Sequence, residues 1–162
     1  MKRAFLFLLM TIMLSACGSK KKAAAAPAAD EPAKPEVQYR DDFRATTDAK
    51  KNKLLRTLKA TGKNYSVLIF TKGYKGEQLT VTSDGKTLYR GNQISNLKTG
   101  IADQVRIINT ADTKIFDNLT KAEVVLPTAE TQKHKFIYLM KDNDGKGSPF
   151  VITYSNTLRP LD

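Results

Sequence analysis

The chain of 162 residues has no tryptophan, one histidine and one cysteine. A single cysteine excludes an intrachain disulfide and a metal cluster held by several cysteines, so packing alone must stabilise the fold. With His134 as the only histidine, zinc sites and nucleophile–histidine pairs lack their usual parts. The glycine-rich patterns of phosphate-binding and dinucleotide-binding loops are missing as well. We therefore expect a protein that is not an enzyme and that holds no metal and no cofactor.

Basic residues outnumber acidic residues, and the formal net charge is +11. Much of this excess lies near the N-terminus, because residues 63–162 contain 14 basic and 10 acidic side chains and carry only +4. An excess of that size is typical of a solvated surface. Together with 41% hydrophobic and 27% charged residues, the length predicts one ordinary globular domain with appendages.

The N-terminus has the pattern of an export signal. Lys2 and Arg3 precede the uncharged and mostly apolar run 4–14, which has about half the roughly 20 residues of a membrane-spanning helix. The run ends at Leu14-Ser15-Ala16-Cys17. In these residues the chain resembles bacterial lipoproteins, whose lipobox is similar to this tetrapeptide.

The resemblance implies that residues 1–16 are a signal peptide, removed when the chain is cleaved before Cys17. It also implies that the Cys17 sulfur receives a diacylglycerol and that the new amino group is acylated, commonly with palmitate, so that membrane lipid is a partner. Two or three acyl chains make such anchoring stable. Gly18 follows the cysteine where inner-membrane lipoproteins of enterobacteria often carry Asp, which favours the outer membrane if the cell is Gram-negative.

A linker is expected behind the lipidated cysteine. Residues 23–36 contain four consecutive alanines, three prolines and no large apolar side chain, so they cannot bury enough surface to fold. We predict a disordered Ala/Pro/Lys tether over residues 17–44 and a folded domain over residues 45–162.

A short helix is predicted over residues 48–60, with Thr47 or Asp48 as its N-cap and Gly62 at its end. Its three leucines fall on one face, and the opposite face is strongly basic. This pattern leaves two possibilities, namely a helix that docks its leucines on a sheet and a helix that lies on a membrane surface.

From Tyr65 onward, short apolar segments alternate with turn residues, and Asp84-Gly85 marks a tight hairpin. Sustained helical periodicity does not occur there, so parallel strands joined by helices are not expected. The fold class predicted is all-β, as a single antiparallel β-sandwich of immunoglobulin-like architecture. We predict eight strands, at Tyr65–Thr71, Gln78–Ser83, Lys86–Arg90, Gln104–Asn109, Thr113–Phe116, Ala122–Leu126, Lys135–Lys141 and Phe150–Ser155.

Two loops are candidates for ligand contact, and the tail 156–162 with Arg159 is a third segment that could face a partner or cap a sheet edge. One presents a tyrosine between lysines on a glycine-flanked connection, where the ring can stack on a sugar and the lysines can meet anions. The other is the polar stretch 91–102. The candidate ligand residues in these loops are Lys72, Tyr74, Lys75, Asn92 and Asn96.

Taken alone, the sequence favours a lipid-anchored cell-envelope protein whose domain binds or scaffolds an envelope protein or a glycan. The first alternative is a small envelope hydrolase or inhibitor that uses the loop carboxylates Asp103, Asp112 and Asp117. The second is a structural protein of the membrane surface. Nucleic acid is not expected as a partner because an exported protein does not meet it, and the oligomeric state stays open.

Overall fold

The alternation of apolar residues leads to a two-sheet domain. The computed structural model describes residues 34–144 and 147–161; the predicted signal peptide, Cys17 and most of the predicted linker lie outside these residues. Nine strands and two helices are present in the described part, in the order β1 (Glu36–Tyr39), α1 (Asp48–Thr57), β2 (Tyr65–Phe70), β3 (Lys75–Ser83), β4 (Lys86–Ile94), β5 (Asp103–Ile108), β6 (Thr113–Asp117), β7 (Glu123–Leu126), α2 (Thr128–Thr131), β8 (Phe136–Lys141) and β9 (Phe150–Ser155).

One sheet has five strands in the order β1-β9-β8-β2-β5, and the other has four in the order β4-β3-β6-β7. The fold is thus mostly β with two sheets and minor helices, as the sequence predicted at that level. The four-stranded sheet is antiparallel throughout. The five-stranded sheet is mixed, because β1 runs parallel to β9 and β2 runs parallel to β8.

The prediction of a purely antiparallel fold is therefore wrong for the five-stranded sheet. Parallel strands are usually connected by a helix, and the sequence shows no such helices, which is why it predicts antiparallel strands. Between β2 and β8, however, the chain forms the whole four-stranded sheet and β5. This long segment, and not a helix, connects the two parallel strands.

The main core lies between the two sheets. Leu68 and Phe70 of β2, with Ile137 and Leu139 of β8, face Leu79 and other apolar side chains of the four-stranded sheet. These side chains are fully buried, and each large one removed from water stabilises the fold by about 1.5–3 kcal/mol.

A second cluster covers the outer face of the five-stranded sheet. The alternate residues of β2 and β8, including Val67, Ile69 and Tyr138, point to this side and contact helix α1 and Leu158 of the C-terminal tail. This explains why both strands are apolar on both faces, as the sequence indicated.

Helix α1 begins at the predicted cap, since the Thr47 hydroxyl oxygen accepts the backbone N–H of Lys50. It ends earlier than predicted, at Thr57, and the left-handed residue that follows is Lys59 with φ 52°, not Gly62. Within residues 34–144 and 147–161, neither helix has the length and apolarity needed to cross a bilayer.

The chain joins the sheet earlier than predicted. Glu36–Tyr39 form strand β1 and pair in register with Val151–Tyr154 of β9, so the linker cannot reach residue 44. The segment looked unfoldable because the apolar surface that it contacts comes from the far end of the chain. A strand of four residues with three exposed side chains has little pattern of its own.

Candidate functional site

A concave site opens on the outer face of the five-stranded sheet, between β1, the loop before β5 and the C-terminal tail. It has a volume of about 260 Å³. Three of its lining residues are cations, and none is Asp or Glu. We call it the cationic cleft; its lining consists of Gln38, Arg40, Phe43, Thr71, Lys72, Thr99, Gly100, Ile101, Tyr138, Met140, Val151, Thr153, Arg159 and Pro160.

Aromatic rings hold Arg159 in the cleft. Its guanidinium carbon lies 3.8 Å from the ring centre of Tyr138 and 4.2 Å from that of Phe43. The Tyr138 hydroxyl accepts the backbone N–H of Arg159 at 2.9 Å, which fixes the tail against β8. The Nε atom of Arg159 is buried and has no hydrogen-bond partner among the described residues. Cation–π contacts thus orient a charge that retains an unused donor.

Arg40 supplies a second guanidinium group, 4.8 Å from the ring centre of Phe43. Its Nε and Nη2 atoms donate to the two carboxylate oxygens of Asp42 at 2.9 and 2.8 Å, and these bonds raise the pKa of Arg40. The ion pair is exposed to solvent, so it orients the side chain more than it stabilises the fold.

Lys72 is the predicted ligand residue that the structure does place in the cleft, where its side chain is exposed. Its aliphatic chain passes close to Gly100, since a Cβ added there would lie 3.2 Å from Cε of Lys72. Gly100 has φ +69°, so the loop needs a glycine for its conformation as well. Lys72, Arg40 and Arg159 thereby bring three positive charges to one concavity.

The other predicted ligand residues do not join this site. Tyr74 is 2% exposed, its ring packs edge-on against Phe70, and its hydroxyl donates to the carbonyl oxygen of Leu139 at 3.2 Å. The prediction that Tyr74 faces a partner is therefore wrong. Burial raises its pKa well above the ordinary value, as do the nearby carboxylates of Glu77 and Asp117.

Two of the remaining candidates lie within strands. Lys75 is the exposed first residue of β3, and Asn92 lies in β4 opposite Gln78, so it does not belong to an irregular loop. Asn96 lies in the loop that follows β4, where its side-chain oxygen accepts the N–H groups of Lys98 and Thr99. Its role there is to shape the turn.

A second polar group is enclosed between the sheets. Lys141 ends β8, and its ammonium nitrogen lies 2.8 Å from Oε1 of Glu77 on β3 and 2.7 Å from Oδ2 of Asp117 on β6. The three side chains are 2%, 6% and 0% exposed. We call them the buried triad.

The pKa values in the buried triad follow from two opposing causes. Burial alone would lower the pKa of Lys141, but its bonds to Asp117 and Glu77 outweigh burial and raise it. Burial would likewise raise the pKa of both carboxyl groups, and the bonds from Lys141 lower both instead. The triad therefore rests as one cation between two anions.

The three loop carboxylates each have partners of their own. Asp103 accepts the Tyr89 hydroxyl at 2.7 Å, Asp112 accepts the backbone N–H and hydroxyl of Thr128, and Asp117 belongs to the buried triad. Burial and the Asp103 carboxylate raise the pKa of Tyr89 to about 12. Among the described residues, no group of three His, Cys, Asp or Glu side chains is arranged to hold a metal ion.

Helix α1 docks its leucines on the sheet. Leu54, Leu55 and Leu58 pack against the second cluster, and the exposed side of the helix carries basic residues such as Lys53 and Arg56. Of the two possibilities left by the sequence, the structure favours the docked helix, because these leucines contact the sheet and are partly buried there.

Sequence reasoning missed the arginines of the cleft and the members of the buried triad. The cleft depends on pairing between the two ends of the chain, which leaves no local pattern. The triad does have a local pattern, because Lys141 alternates with the core residues Ile137 and Leu139 and so lies on the same face of its strand. Glu77 and Asp117 are in phase with inward residues in the same way, so strict alternation would have marked all three as buried.

The chain matches no protein-family model, and the search of curated proteins finds no similar sequence.

Proposed function

We propose that this protein is a lipid-anchored lipoprotein of the cell envelope whose domain binds an acidic glycan through the cationic cleft. The anchoring rests on the signal-like residues 1–16 and on Cys17. On this proposal the acylated protein is not an enzyme, and in a Gram-negative cell it belongs to the outer membrane. The immunoglobulin-like architecture is likewise a proposal, supported by two sheets that enclose one core.

The observation that carries the binding proposal is the composition of the cleft. Lys72, Arg40 and Arg159 line it without an acidic lining residue. Asp42 offsets only the charge of Arg40, so the cleft attracts anions. Arginine and lysine side chains form charge-assisted hydrogen bonds to carboxylates and phosphates.

The remaining lining suits a sugar. Three threonines and Gln38 can exchange hydrogen bonds with hydroxyl groups, while Ile101 and Met140 offer apolar surface to the C–H face of a ring. A volume of about 260 Å³ accommodates a small portion of a polymer and not a folded partner. An acidic saccharide combines the charge, the hydroxyl groups and the apolar face that this lining complements.

The test is calorimetric titration of the full chain with galacturonic acid oligomers, with neutral galactose oligomers of the same length and with glutamate oligomers. We expect binding of the acidic sugar alone, weakening as salt is added. Lys72→Ala and Arg40→Gln should each weaken it by about tenfold, the loss of one charge-assisted hydrogen bond. Lys86→Ala is the control, because Lys86 is exposed on the β3–β4 hairpin outside the cleft.

Equal affinity for the neutral sugar, or equal affinity of the cleft variants and the Lys86 variant, would contradict the glycan proposal. Preference for the glutamate oligomer would instead favour an acidic segment of an envelope protein. A hydrolase or inhibitor that uses Asp103, Asp112 and Asp117 finds less support, since each of these carboxylates bonds a different set of partners.

A further inference from the structure

The buried triad brings a lysine nitrogen and two carboxyl groups together in one enclosed place. The nitrogen of Lys141 contacts Oδ2 of Asp117 at 2.7 Å and Oε1 of Glu77 at 2.8 Å. The lysine comes from the five-stranded sheet, and both acids come from the four-stranded sheet. Because the side chains of Lys141 and Asp117 are 2% and 0% exposed, bulk water does not separate them.

Backbone donors fix the carboxyl group of Asp117. Its Oδ1 atom accepts the backbone N–H groups of Leu119 at 2.8 Å and Thr120 at 3.2 Å. Paired backbone donors on one oxygen are the arrangement that stabilises negative charge when a nucleophile adds to a carbonyl carbon. The other oxygen, Oδ2, faces the lysine nitrogen and accepts the Thr120 hydroxyl at 2.8 Å.

We propose that Lys141 and Asp117 join in an intramolecular isopeptide bond, with Glu77 as the group that moves the proton. The Lys141 nitrogen gives a proton to Glu77 and attacks Cγ of Asp117. The Nζ–Cγ bond forms and the Cγ–Oδ2 bond breaks. Oδ2 receives the proton returned by Glu77 and a second proton from the Lys141 nitrogen, and it leaves as water. An ammonium and a carboxylate thus become an amide and one water molecule, and Glu77 ends in its starting state.

Two features of the site favour this condensation. Fixed neighbours react as if at an effective concentration of about 10⁵–10⁸ M, which offsets the preference of free amines and acids to stay apart. The amide also removes two charges from the interior, where ions are costly to bury. The resting ion pair opposes attack until the proton has moved, and this step is the one that Glu77 supplies.

The bond would link the two sheets covalently. Lys141 and Asp117 are 24 positions apart in sequence. The chain has a single cysteine and no intrachain disulfide, so an amide is a covalent link that it can form from its own side chains. This inference is independent of the cleft and of the glycan.

The test is mass spectrometry of the full chain, purified, denatured and digested with trypsin. Trypsin cleaves after free lysine, and an amide on Lys141 blocks cleavage there. We expect a branched product of residues 115–121 joined to residues 136–146, lighter by one water molecule than the two peptides together. Recovery of the linear peptides 115–121 and 136–141 in full yield would overturn the proposal and leave a permanent ion triad.

Variants assign the roles. Lys141→Arg and Asp117→Ala should abolish the branched product, and Glu77→Gln should slow its formation at least tenfold. An unchanged rate in the Glu77 variant would overturn its part in proton transfer. Lys114 and Glu123 are the internal control, since they lie 2.9 Å apart but are about half exposed and should stay unlinked. The wild-type measurement decides the proposal even if a variant fails to fold.

Discussion

The ammonium nitrogen of Lys141 lies 2.7 Å from Oδ2 of Asp117, and this contact joins the two sheets through their shared interior. Gly73 contributes to the position of the lysine. A Cβ at Gly73 would lie 1.8 Å from the backbone oxygen of Lys141, so only glycine permits this approach. The loop before β3 and the end of β8 are therefore packed backbone to backbone.

Removing the cation of the buried triad should be costly. In Lys141→Met the carboxylates of Glu77 and Asp117 stay buried without a counter-charge, and the proposed amide cannot form. Breaking the ion pairs alone costs about 3–5 kcal/mol, so the loss should be at least that large. Urea denaturation measures the loss. Lys133→Met is the matched control, because Lys133 pairs with Glu130 at 3.0 Å but is 64% exposed, and its loss should stay within about 0.5 kcal/mol. Similar stability of the two variants would contradict this account of the triad.

Two glycines with positive φ allow the cost of backbone strain to be compared with the cost of a steric clash. Gly76 has φ +121° with no atom within 4 Å of an added Cβ, whereas Gly73 has φ +94° and meets the Lys141 oxygen. We expect Gly76→Ala to cost about 1–2 kcal/mol from strain alone, and Gly73→Ala to cost clearly more. Thermal unfolding measures the stability of both variants. A smaller loss of stability for Gly73→Ala than for Gly76→Ala would show that the backbone at Gly73 is not packed closely against Lys141.

Stability should depend on the charge of Asp41. Its carboxylate accepts the N–H of Asn156 at 2.6 Å and the Ser155 hydroxyl at 2.8 Å, and these bonds lower its pKa from the ordinary 3.8. Since the folded pKa is depressed, the stabilisation is present above about pH 4 and is lost as the pH falls through the folded pKa.

The measurement is the free energy of unfolding of the wild type and of Asp41→Asn between pH 7 and pH 2. We expect a difference of less than about 1 kcal/mol at neutral pH, because the side chain is exposed, and convergence of the two proteins in acid. A difference that is constant across this range would show that the Asp41 charge does not matter.

The leucines of helix α1 should stabilise the domain. Leu55→Ala should cost about 1–2 kcal/mol in urea denaturation, less than a fully buried leucine, because the residue is only partly buried against the second cluster. Lys53→Ala, on the exposed side of the same helix, should change stability little. If Leu55→Ala left stability unchanged but weakened binding to anionic lipid vesicles, a membrane-facing helix would be favoured instead.

Local patterns predicted the strands well, because each has its own alternation and turn chemistry. All eight predicted strands are present, and the Asp84-Gly85 hairpin has φ values of 49° and 69°, as a primed turn requires. Strand β1 was not predicted because it pairs with β9, which lies more than 100 residues away in the sequence. The mixed sheet escaped for the same reason, since the direction of pairing is set by distant partners.

The site was harder to predict than the fold. Lys72 lines the cleft, as a predicted ligand residue should. Tyr74, two residues later, lies in the core because the chain crosses there from one sheet to the other. An aromatic ring can contact a ligand only if it is exposed. The glycines and lysines around Tyr74 do not indicate whether its ring is exposed or buried. Arg159 gained its role only through the rings beneath it.

The most direct test of the proposed anchoring is the mass of the N-terminal peptide of the protein purified from its native membrane. The account predicts a chain that begins at Cys17, with a diacylglycerol thioether on the sulfur and further mass from N-acylation. A chain that begins at Met1, or a Cys17 that carries a free thiol, would contradict it.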